Sequence, residues 1–513
     1  MPVARSASVA LIGLRGEIVD IEADLAAGIP AFNLIGLPDT ALGEARERVR
    51  SAAANSGLDL PNRRYTVNLS PAALPKHGSA FDLGIALTML AAGGVVPGDS
   101  VERVVHVGEL GLDGRVRQVP GVLPAVLSAR RAGRTIAMVP AACAVEAELV
   151  DGIRIVPVAS LRAAAIWHGA EIEPEEQDAA PGPVPPEPAA LGPEPDLAEV
   201  VGNEEAVDAL VVAAAGGHNL LLVGPPGAGK TMLATRLPGI LPPLDAEAAI
   251  ECASIRSLSG MPVRSLSTRP PFEAPHHTAS PAAIIGGGSG VIRPGAIARA
   301  ANGVLFLDEC PEFSRVALDA LRQPLESGVI TVQRANATAR FPANVQLVLA
   351  ANPCPCGRLG AGDCQCTPMA RRRYFGRLSG PLLDRVDIQL TVRRMTAAGL
   401  RAADSRGGRL TTEAAAARVR DARAAAAERL AGTPWRRNAD VHGSWLRGIG
   451  GGRRLPVSAT AALDRALERG GVTMRGYDRV IRVAWSIADL AGVASPRKEH
   501  IDRALGMRTA VAA

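Results

Sequence analysis

The residues with the clearest potential for chemistry form one glycine-rich segment: Gly224, Pro225, Pro226, Gly227, Ala228, Gly229, Lys230 and Thr231. The apolar run Leu220–Val223 precedes this segment and predicts a buried strand, and a helical pattern follows the segment. A strand before the loop and a helix after it are the structural context of a phosphate-binding P-loop. Glycines let backbone N–H groups turn toward phosphate oxygens, and the N-terminus of the helix adds its positive dipole end. We expect Lys230 to contact the β- and γ-phosphates of ATP and Thr231 to ligate Mg²⁺.

A pair of carboxylates at the end of an apolar run is the second chemical feature. The run is Val304–Leu307, and Asp308 and Glu309 follow it directly. In a parallel sheet such a pair emerges at the carboxyl edge of its strand, beside a P-loop. We expect Asp308 to join the nucleotide site through the Mg²⁺ shell and Glu309 to activate the attacking water. A solvated turn is the alternative for this acidic pair.

Three further polar residues could complete a site for phosphoryl transfer. Asn352 follows a third apolar run, residues 345–349, and its amide could bind the attacking water or the γ-phosphate, or merely cap a turn. Arg385 and Arg475 could stabilise transition-state charge and could be supplied by a neighbouring subunit. Surface salt bridges are the alternative for both arginines.

Four of the seven cysteines crowd into one loop: Cys354, Cys356, Cys364 and Cys366. A disulfide framework is not expected in a chain of this size and compartment. Four thiolates would satisfy a tetrahedral Zn²⁺, but two C-x-C pairs depart from the usual C-x₂₋₄-C spacing. A structural zinc site and free or redox-sensitive thiols therefore both stay open.

Several basic or histidine-bearing segments could contact a partner. Residues 327–341 alternate in strand fashion around a turn, with Arg334 and Arg340 near its tip, and predict a hairpin. This hairpin is either a pore element whose arginines track phosphates or an ordinary surface hairpin. His276 and His277 favour a substrate-contacting loop or a structural turn over a metal site, because no acid or cysteine stands beside them.

A cluster of four arginines follows the cysteine loop: Arg371, Arg372, Arg373 and Arg377. In the sequence no acidic residue opposes this cluster until Asp384. It is either a patch that faces DNA or a solvated face.

The elements that must position these residues divide into three domains. Residues 171–196 hold eight prolines and no lysine or arginine, which is typical of a linker, and we assign 169–196 to it. Residues 1–168 mix short strand-like and helical patterns, which predicts an α+β domain. Residues 197–395 alternate buried strands with helices and predict an α/β core. Residues 411–513 predict an all-α domain.

Within these domains the patterns predict individual elements. In the N-terminal part we expect strands over 64–69 and 104–108 and helices over 40–56, 80–92 and 122–132. In the C-terminal part we expect helices over 412–431, 459–469, 477–490 and 497–507.

Composition limits the class of protein. The 513 residues carry a net charge of +5, which is too modest to imply a surface that coats nucleic acid. The sequence has neither an apolar run of eighteen residues nor an N-terminal secretory signal. We therefore expect a cytoplasmic protein with no membrane partner.

Several longer motifs carry a family resemblance. With these motifs in order, the chain resembles the ComM/YifB family of magnesium-chelatase-like AAA+ ATPases, from Val9 to beyond Gly492. The motifs that narrow the choice beyond the P-loop are residues 274–280, 286–288, 303–313, 351–357, 379–387 and 475–492.

The resemblance implies a homo-hexameric ring with ATP between subunits and DNA in the pore. It implies that Asn352 is the first sensor, Arg385 the finger from the neighbour and Arg475 the second sensor. Family members linked to natural transformation look like branch-migration helicases of homologous recombination, which allows single-stranded or branched DNA and recombination proteins as partners.

The N-terminal domain is similar to the Lon-protease fold, particularly around residues 75–79 and 114–133. A peptidase of that type needs a serine nucleophile and a lysine base. An ungapped alignment puts the serine position on Ala80 and the lysine position on Leu123, so we expect this domain to be non-catalytic and to act as a scaffold or engage DNA.

Two functions compete. The first is an ATP-driven DNA translocase or helicase, and the second is a chelatase-like motor that remodels a protein partner. A non-hydrolysing nucleotide-binding scaffold conflicts with the intact Lys230, Asp308 and Glu309. An effect of DNA on the ATPase rate would discriminate the first two.

Overall fold

The computed structural model describes residues 3–36, 44–72, 74, 76, 78–175, 194–288, 292–334, 337–359, 364–396, 399, 401, 408–449 and 452–509. Most of the expected linker, 176–193, and two residues at the tip of the expected hairpin, 335–336, lie outside these ranges. Across the described residues we find no helix with the length and apolar character needed to span a membrane.

The described residues of the N-terminal region form nine strands: β1 (Ala4–Ile12), β2 (Arg15–Ala26), β3 (Ala31–Ile35), β4 (Arg64–Ser70), β5 (Val105–His106), β6 (Glu109–Leu110), β7 (Val116–Arg117), β8 (Ile136–Pro140) and β9 (Arg154–Val158). Seven form one mixed sheet in the order β3-β4-β2-β1-β5-β8-β9, and β6 pairs with β7. On β2, Val19, Ile21 and Ala23 are buried while Asp20 and Asp24 are exposed. This alternation turns one face of the strand toward the core.

In the part of this region that the structure describes, six helices accompany the sheet: α1 (Ala45–Asn55), α2 (Asp82–Ala92), α3 (Gly98–Glu102), α4 (Val122–Arg131), α5 (Ala144–Ala147) and α6 (Leu161–Trp167). Helix α2 contacts both β1 and β2, and its residues from Asp82 to Leu90 are all buried. A helix that is apolar nearly all round is expected in such a position.

The central region is built on a five-stranded parallel sheet. Its strands are β10 (Leu220–Val223), β11 (Phe272–Glu273), β14 (Val304–Leu307), β17 (Gln346–Ala351) and β18 (Ile388–Thr391), and two hairpins join β12 (Gly286–Gly287) to β13 (Arg293–Pro294) and β15 (Val329–Arg334) to β16 (Ala337–Pro342). The sheet order is β11-β14-β17-β10-β18. Strand β10 is therefore interior, and its four residues are buried on both faces.

Outside residues 289–291, 335–336 and 360–363, the described chain of this region forms the helices α7 (Glu204–Gly216), α8 (Lys230–Ile240), α9 (Ala246–Leu258), α10 (Pro281–Ile285), α11 (Ala296–Arg299), α12 (Arg315–Ala320), α13 (Pro324–Ser327), α14 (Pro368–Phe375) and α15 (Gly380–Leu383). Register aligns the ends of the central strands: Val223 pairs with both Ala351 and Thr391, and Leu307 pairs with Leu349. Whatever follows β10, β14 and β17 therefore meets at one edge of the sheet.

The C-terminal region is helical, with α16 (Thr412–Arg429), α17 (Gly443–Leu446), α18 (Val457–Glu468), α19 (Met474–Leu490) and α20 (Lys498–Thr509). Hydroxyl groups start two of these helices: the side chain of Thr411 accepts from the Ala414 N–H, and that of Thr473 accepts from the Gly476 N–H. Such N-caps satisfy backbone donors that the helix leaves free. The region shares a hydrophobic core with α7 and β10.

The N-terminal region packs against the central region at two places. At the first, the buried carboxylate of Glu146 accepts from the backbone N–H of Leu123 at 2.9 Å and from the hydroxyl of Ser257 on α9. At the second, the turn between β1 and β2 lies on strand β16. Gly13 in that turn has φ +66°, and a Cβ there would lie 3.1 Å from the carbonyl oxygen of Arg340.

The expected fold class is confirmed: an α/β core with an N-terminal α+β region and a C-terminal helical region. Several element bounds differ from expectation. The third core strand ends at Ala351, two residues later than expected, and the helix expected over 40–56 is described as Ala45–Asn55. Strands β1, β2, β11 and β18 were not anticipated.

Candidate nucleotide site and its surroundings

The P-loop connects the interior strand β10 to helix α8, and glycine is required where it turns. A Cβ at Gly224 would lie 2.3 Å from the carbonyl oxygen of Val392, and Gly229, at the start of α8, has φ +92°. Only glycine, which has no Cβ, allows the close backbone approach at the first position and the left-handed conformation at the second at low cost. The loop therefore leads directly into the positive end of the eleven-residue helix α8.

Lys230 is the most constrained side chain of the loop. It is 8% exposed, and its ammonium group donates to the carbonyl oxygens of Gly224 at 2.6 Å and Pro225 at 3.1 Å and to Oδ1 of Asn352 at 3.1 Å. Burial lowers the pKa of Lys230, and the charges of Asp308 and Glu309 act in the opposite direction. The lysine is thus a cation held at the mouth of the loop by neutral acceptors.

Asp308 and Thr231 lie side by side. The hydroxyl of Thr231 donates to Oδ2 of Asp308 at 2.7 Å, and this contact is exposed. The two residues come from the start of α8 and the end of β14, which register brings to the same sheet edge. Hydroxyl and carboxylate oxygens are the hard ligands that Mg²⁺ prefers, so the donor set fits this ion.

Glu309 has an unusual backbone. Its φ of +49° lies in the left-handed region, which is uncommon for a residue with a Cβ and is concentrated at functional sites. Its backbone N–H donates to Oδ1 of Asp308 at 2.9 Å, and its carboxylate is half exposed. The turn therefore leaves the carboxylate of Glu309 half exposed at the sheet edge.

His277 lies next to Glu309, with Nδ1 3.4 Å from Oε2 of the carboxylate. Its ring also lies against that of His276, with 4.1 Å between centroids. Sequence reasoning assigned both histidines to a loop but did not connect them to Glu309, because thirty-two positions separate His277 from that residue. In the sequence, only the run of residues 274–280 drew attention to these histidines, and it did not indicate which residue His277 would contact.

Arg385 and Arg475 lie away from these residues. Strand β18 begins at Ile388, which pairs with Leu220 at the start of β10, so Arg385 precedes the amino edge of the sheet while the P-loop follows the carboxyl edge. Arg385 is mostly buried and donates to Glu326 and to the carbonyl oxygen of Pro381. Arg475 is exposed, and it lies 3.8 Å from Asp384, the neighbour of Arg385.

The four cysteines of the loop after Asn352 converge. Their sulfur atoms all lie within 4.8 Å of one another, and Cys354 Sγ is 3.3 Å from Cys356 Sγ and 3.6 Å from Cys364 Sγ. These separations are too long for a disulfide. A tetrahedron of Zn–S bonds of about 2.3 Å has sulfur atoms about 3.8 Å apart, so the cluster fits a zinc ion.

Backbone donors support this cluster. Arg358 hydrogen-bonds through its backbone to the thiol of Cys356, and together with the neighbouring thiols it lowers the pKa of Cys356 to about 6. The backbone of Cys366 acts on Cys364 in the same direction, but burial and the neighbouring thiols outweigh it and raise the pKa of Cys364 to about 11. Hydrogen bonds of this kind favour thiolates, which are the form that binds metal.

The basic segments have partners that the sequence did not reveal. Arg377 donates to Glu312 at 2.9 Å, so the expectation that no acid opposes the arginine cluster is wrong in space: residues 312 and 377 are distant in sequence but adjacent in the fold. Arg372 and Arg373 are exposed on α14. The expected hairpin is present as β15 and β16, and Arg340 is exposed there, whereas the side chain of Arg334 lies outside the described part of the chain.

The N-terminal region has no serine–lysine pair at the expected positions. Ala80 and Leu123 are aliphatic, and the backbone N–H of Leu123 donates to Glu146. Nearby, Ser79 donates to Glu109, while Lys76 is fully buried and donates to three backbone carbonyls. Neither the serine nor the lysine contacts the other through these bonds.

Comparison with protein families matches nearly the whole chain. The families described as "Magnesium chelatase, subunit ChlI", "Subunit ChlI of Mg-chelatase" and "Magnesium chelatase, subunit ChlI C-terminal" match residues 196–400, 21–143 and 409–508.

Full-length relatives are bacterial. An uncharacterized protein of Mycobacterium tuberculosis (strain H37Rv) is 48% identical over 99% of both chains. The competence protein ComM of Haemophilus influenzae is 40% identical over 98% of this chain and 96% of its own. The uncharacterized protein YifB of Escherichia coli is 38% identical over 97% of this chain and 96% of its own.

A local similarity concerns the Lon protease of Mycolicibacterium smegmatis. It is 34% identical over 139 residues, which make up 26% of this chain and 17% of the protease. The similarity is therefore partial, and it does not extend to the rest of either protein.

Proposed function

Because the chain belongs to the ComM/YifB family of magnesium-chelatase-like AAA+ ATPases, we propose that it is an ATP-driven ring motor that acts on DNA. The family uses ATP and Mg²⁺. The observation that carries the proposal is the meeting of Lys230, Asn352 and the Thr231–Asp308 pair at one sheet edge.

Each residue of this edge has a role in the proposed hydrolysis. Lys230 exchanges its carbonyl acceptors for the β- and γ-phosphate oxygens, and Asn352, freed from Lys230, orients the attacking water. Thr231 and Asp308 hold Mg²⁺, which when bound neutralises phosphate charge. Glu309 accepts the proton of the attacking water, and its carboxylate is half exposed beside His277.

The proposed site is shared between subunits of a hexamer. Arg385 precedes the amino edge of the sheet, and Arg475 lies beside Asp384, the neighbour of Arg385. The P-loop, in contrast, follows the carboxyl edge. The four residues of β10 separate these edges by about 13 Å of extended chain. Both arginines therefore serve the nucleotide of a neighbouring subunit, in a head-to-tail ring.

DNA is the proposed substrate of the motor, and the β15–β16 hairpin is the element proposed to contact it. The exposed Arg340 on this hairpin and the exposed Arg372 and Arg373 on α14 are suited to phosphate contacts. The family resemblance adds single-stranded and branched DNA, branch migration in homologous recombination or natural transformation, and recombination proteins as partners. We therefore propose that the protein acts in the cytoplasm.

The test is the ATPase rate of the purified protein with no DNA and with single-stranded, duplex and branched DNA. We expect DNA to stimulate the rate, and we expect Arg340→Ala to reduce the stimulation while leaving the DNA-free rate unchanged. Arg64→Ala, which replaces another exposed arginine on a strand, is the matched control. A rate indifferent to all three DNA forms contradicts the proposal.

A second candidate function rests on the family matches. All three matched families are described by the ChlI subunit of magnesium chelatase, which favours a motor that remodels a protein partner. Indifference to DNA together with the same nucleotide site would favour this candidate.

We also propose that the four clustered cysteines hold one structural Zn²⁺ per chain. Their convergence and their backbone donors support it. Metal analysis of the purified protein should find about one zinc ion per chain, and the double variant Cys354→Ser, Cys364→Ser should lose it. Protein purified without zinc would refute the site.

The division of labour is part of the same proposal. Residues 1–168 form a non-catalytic Lon-like domain, 169–196 a linker, 197–395 the ATPase core and 411–513 a helical lid. The bonding of Ser79 to Glu109 and of Lys76 to backbone carbonyls supports the absence of peptidase chemistry, since neither side chain is free to act on the other.

A further inference from the structure

The cysteine cluster begins two residues after Asn352. Strand β17 ends at Ala351, Asn352 follows, and the fully buried sulfur of Cys354 comes next in the cluster. Because only one residue separates Asn352 from Cys354, the position of the sulfur restricts the backbone of the asparagine. The amide that contacts Lys230 at 3.1 Å is therefore anchored at its carboxyl side by the cluster.

The loop that leaves the cluster lies on the P-loop. Gly357 has φ +71°, and its N–H donates to the carbonyl oxygen of Cys354 at 2.9 Å. A Cβ at Gly357 would lie 2.9 Å from both Cδ and Cγ of Pro226 and 4.0 Å from Cγ of Asn352. A methyl group at position 357 would thus collide with the ring of Pro226 in the phosphate-binding loop and lie at van der Waals distance from Asn352.

The second pair of cysteines ties a helix to the same asparagine. Cys366 stands two residues before α14, which begins at Pro368. On that helix Tyr374 is buried, and burial raises the pKa of its hydroxyl while the nearby backbone of Asn352 acts in the opposite direction. One pair of thiols is therefore attached to the end of β17 and the other to the start of α14, and Asn352 is held between them.

We infer that a metal ion in this cluster clamps Asn352 and the P-loop in register, so that ATP binding and turnover depend on zinc. The inference rests on the proposed zinc site and extends it to the nucleotide site. A bound ion fixes the four sulfurs at about 3.8 Å from one another, and this holds Gly357 against Pro226. Without the ion, only weak thiol hydrogen bonds join the sulfurs, and the contact between Gly357 and Pro226 loses its support.

The first experiment removes and restores the metal. Zinc is extracted from the purified full-length protein with a chelator, its loss is measured by metal analysis, and the secondary structure is checked by circular dichroism. We expect affinity for a fluorescent ATP analogue and the ATPase rate to fall about tenfold, and Zn²⁺ alone to restore both. Full activity in protein shown to be zinc-free and folded would overturn the clamp while leaving the ATPase proposal intact.

A second experiment leaves the metal in place, in case the zinc-free protein unfolds. Gly357→Ala keeps all four thiols, so we expect it to retain zinc, but its methyl group displaces Pro226 and should lower ATP affinity about tenfold. Gly432→Ala is the matched control, since Gly432 also has a left-handed φ, +81°, and nothing within 4 Å of the added Cβ. Equal ATP affinity in both variants would overturn the clamp. A wild-type protein that holds zinc but hydrolyses no ATP would instead refute the proposed function.

Discussion

Two buried lysines, one in the N-terminal region and one in the central region, have similar bonds and different neighbours. Lys76 donates to the carbonyl oxygens of Gly36, Pro71 and Leu74, and burial lowers its pKa. Lys230 also donates to backbone carbonyls, and burial lowers its pKa too, but Asp308 and Glu309 oppose that effect.

The difference teaches what separates a structural lysine from one available to a ligand. Lys76 has no exposed surface, so its ammonium group cannot exchange acceptors without unfolding its surroundings. Lys230 is almost as buried, but the neighbouring Gly227 and Thr231 are exposed. A phosphate can therefore reach the second lysine and replace the carbonyls.

The largest effect should come from the residues around Lys230. We expect Lys230→Ala to lose ATP binding and with it all detectable hydrolysis, because the lysine contacts phosphates in the ground state. Glu309→Gln should keep ATP affinity and lower kcat by about 10²–10⁴-fold, the usual contribution of a general base. Equilibrium binding of an ATP analogue and steady-state hydrolysis check both variants. Equal losses of affinity in the two would contradict the assigned roles.

A slightly smaller loss is expected at the opposite sheet edge. Arg385→Ala should bind ATP normally and hydrolyse it about 10³-fold more slowly, since its charge acts only on a neighbour's transition state. Mixing it with Lys230→Ala should recover part of the rate, because some interfaces then pair an intact P-loop with an intact arginine.

The mixing experiment needs subunits that exchange, which labelled protein can verify. Hydrolysis by assembled Arg385→Ala at the wild-type rate would show that the site is not shared. Arg385 would then be assigned a structural role, in its salt bridge with Glu326.

The lysine of the N-terminal region should affect stability alone. Lys76→Met leaves its three carbonyl acceptors without a donor, at a cost of about 1–3 kcal/mol. We expect a lower Tm with unchanged ATP affinity, measured by thermal unfolding and by nucleotide titration. A change in ATP affinity at unchanged Tm would remove the distinction between the two lysines.

The smallest effect concerns two buried aspartates that extend the comparison. Burial raises the pKa of Asp82 to about 6, although Arg48 opposes it. Burial acts on Asp387 as well, but Arg479 and His218 together bring the pKa of that carboxyl well below its ordinary value. An arginine partner thus favours the charged acid in both regions, but burial outweighs it at Asp82 and is outweighed at Asp387.

These pKa shifts predict that the contributions of Asp82 and Asp387 to folding stability depend on pH in opposite directions. Between about pH 4 and 6 the folded chain binds a proton at Asp82 that the unfolded chain does not, so this residue makes stability fall as pH rises through the window. Asp387 contributes stability that is lost only below about pH 4. Asp82→Asn should flatten the Tm profile between pH 4 and 6, whereas Asp24→Asn, at an exposed position, should not. Identical slopes in both variants would contradict the shift at Asp82.

The sequence predicted the parts of the fold that local pattern controls. The runs Leu220–Val223 and Val304–Leu307 have the predicted bounds because four consecutive apolar residues bounded by turns can only be buried strands here. Strands β11 and β18 escaped notice because two residues, or the mixed run Ile388–Thr391, carry too little periodicity.

The site residues that directly follow buried strands could be predicted from the sequence. Asn352 was expected beside the P-loop from its place after a buried run, and it contacts Lys230. The neighbours of Glu309 and Arg377 were not predictable, because His277 and Glu312 reach them only through tertiary packing. The burial of Lys76 gave no signal at all, since a single lysine near a turn ordinarily faces solvent.

The turn at Gly13 has a mechanical consequence. It ends β1, the middle strand of the seven-stranded sheet, and it lies directly against Arg340 on the β15–β16 hairpin. Because β1 pairs with β2 and β5 in the sheet, a load on this turn would fall on paired strands and not on a free loop. A displacement of the hairpin would therefore press on the N-terminal sheet at Gly13.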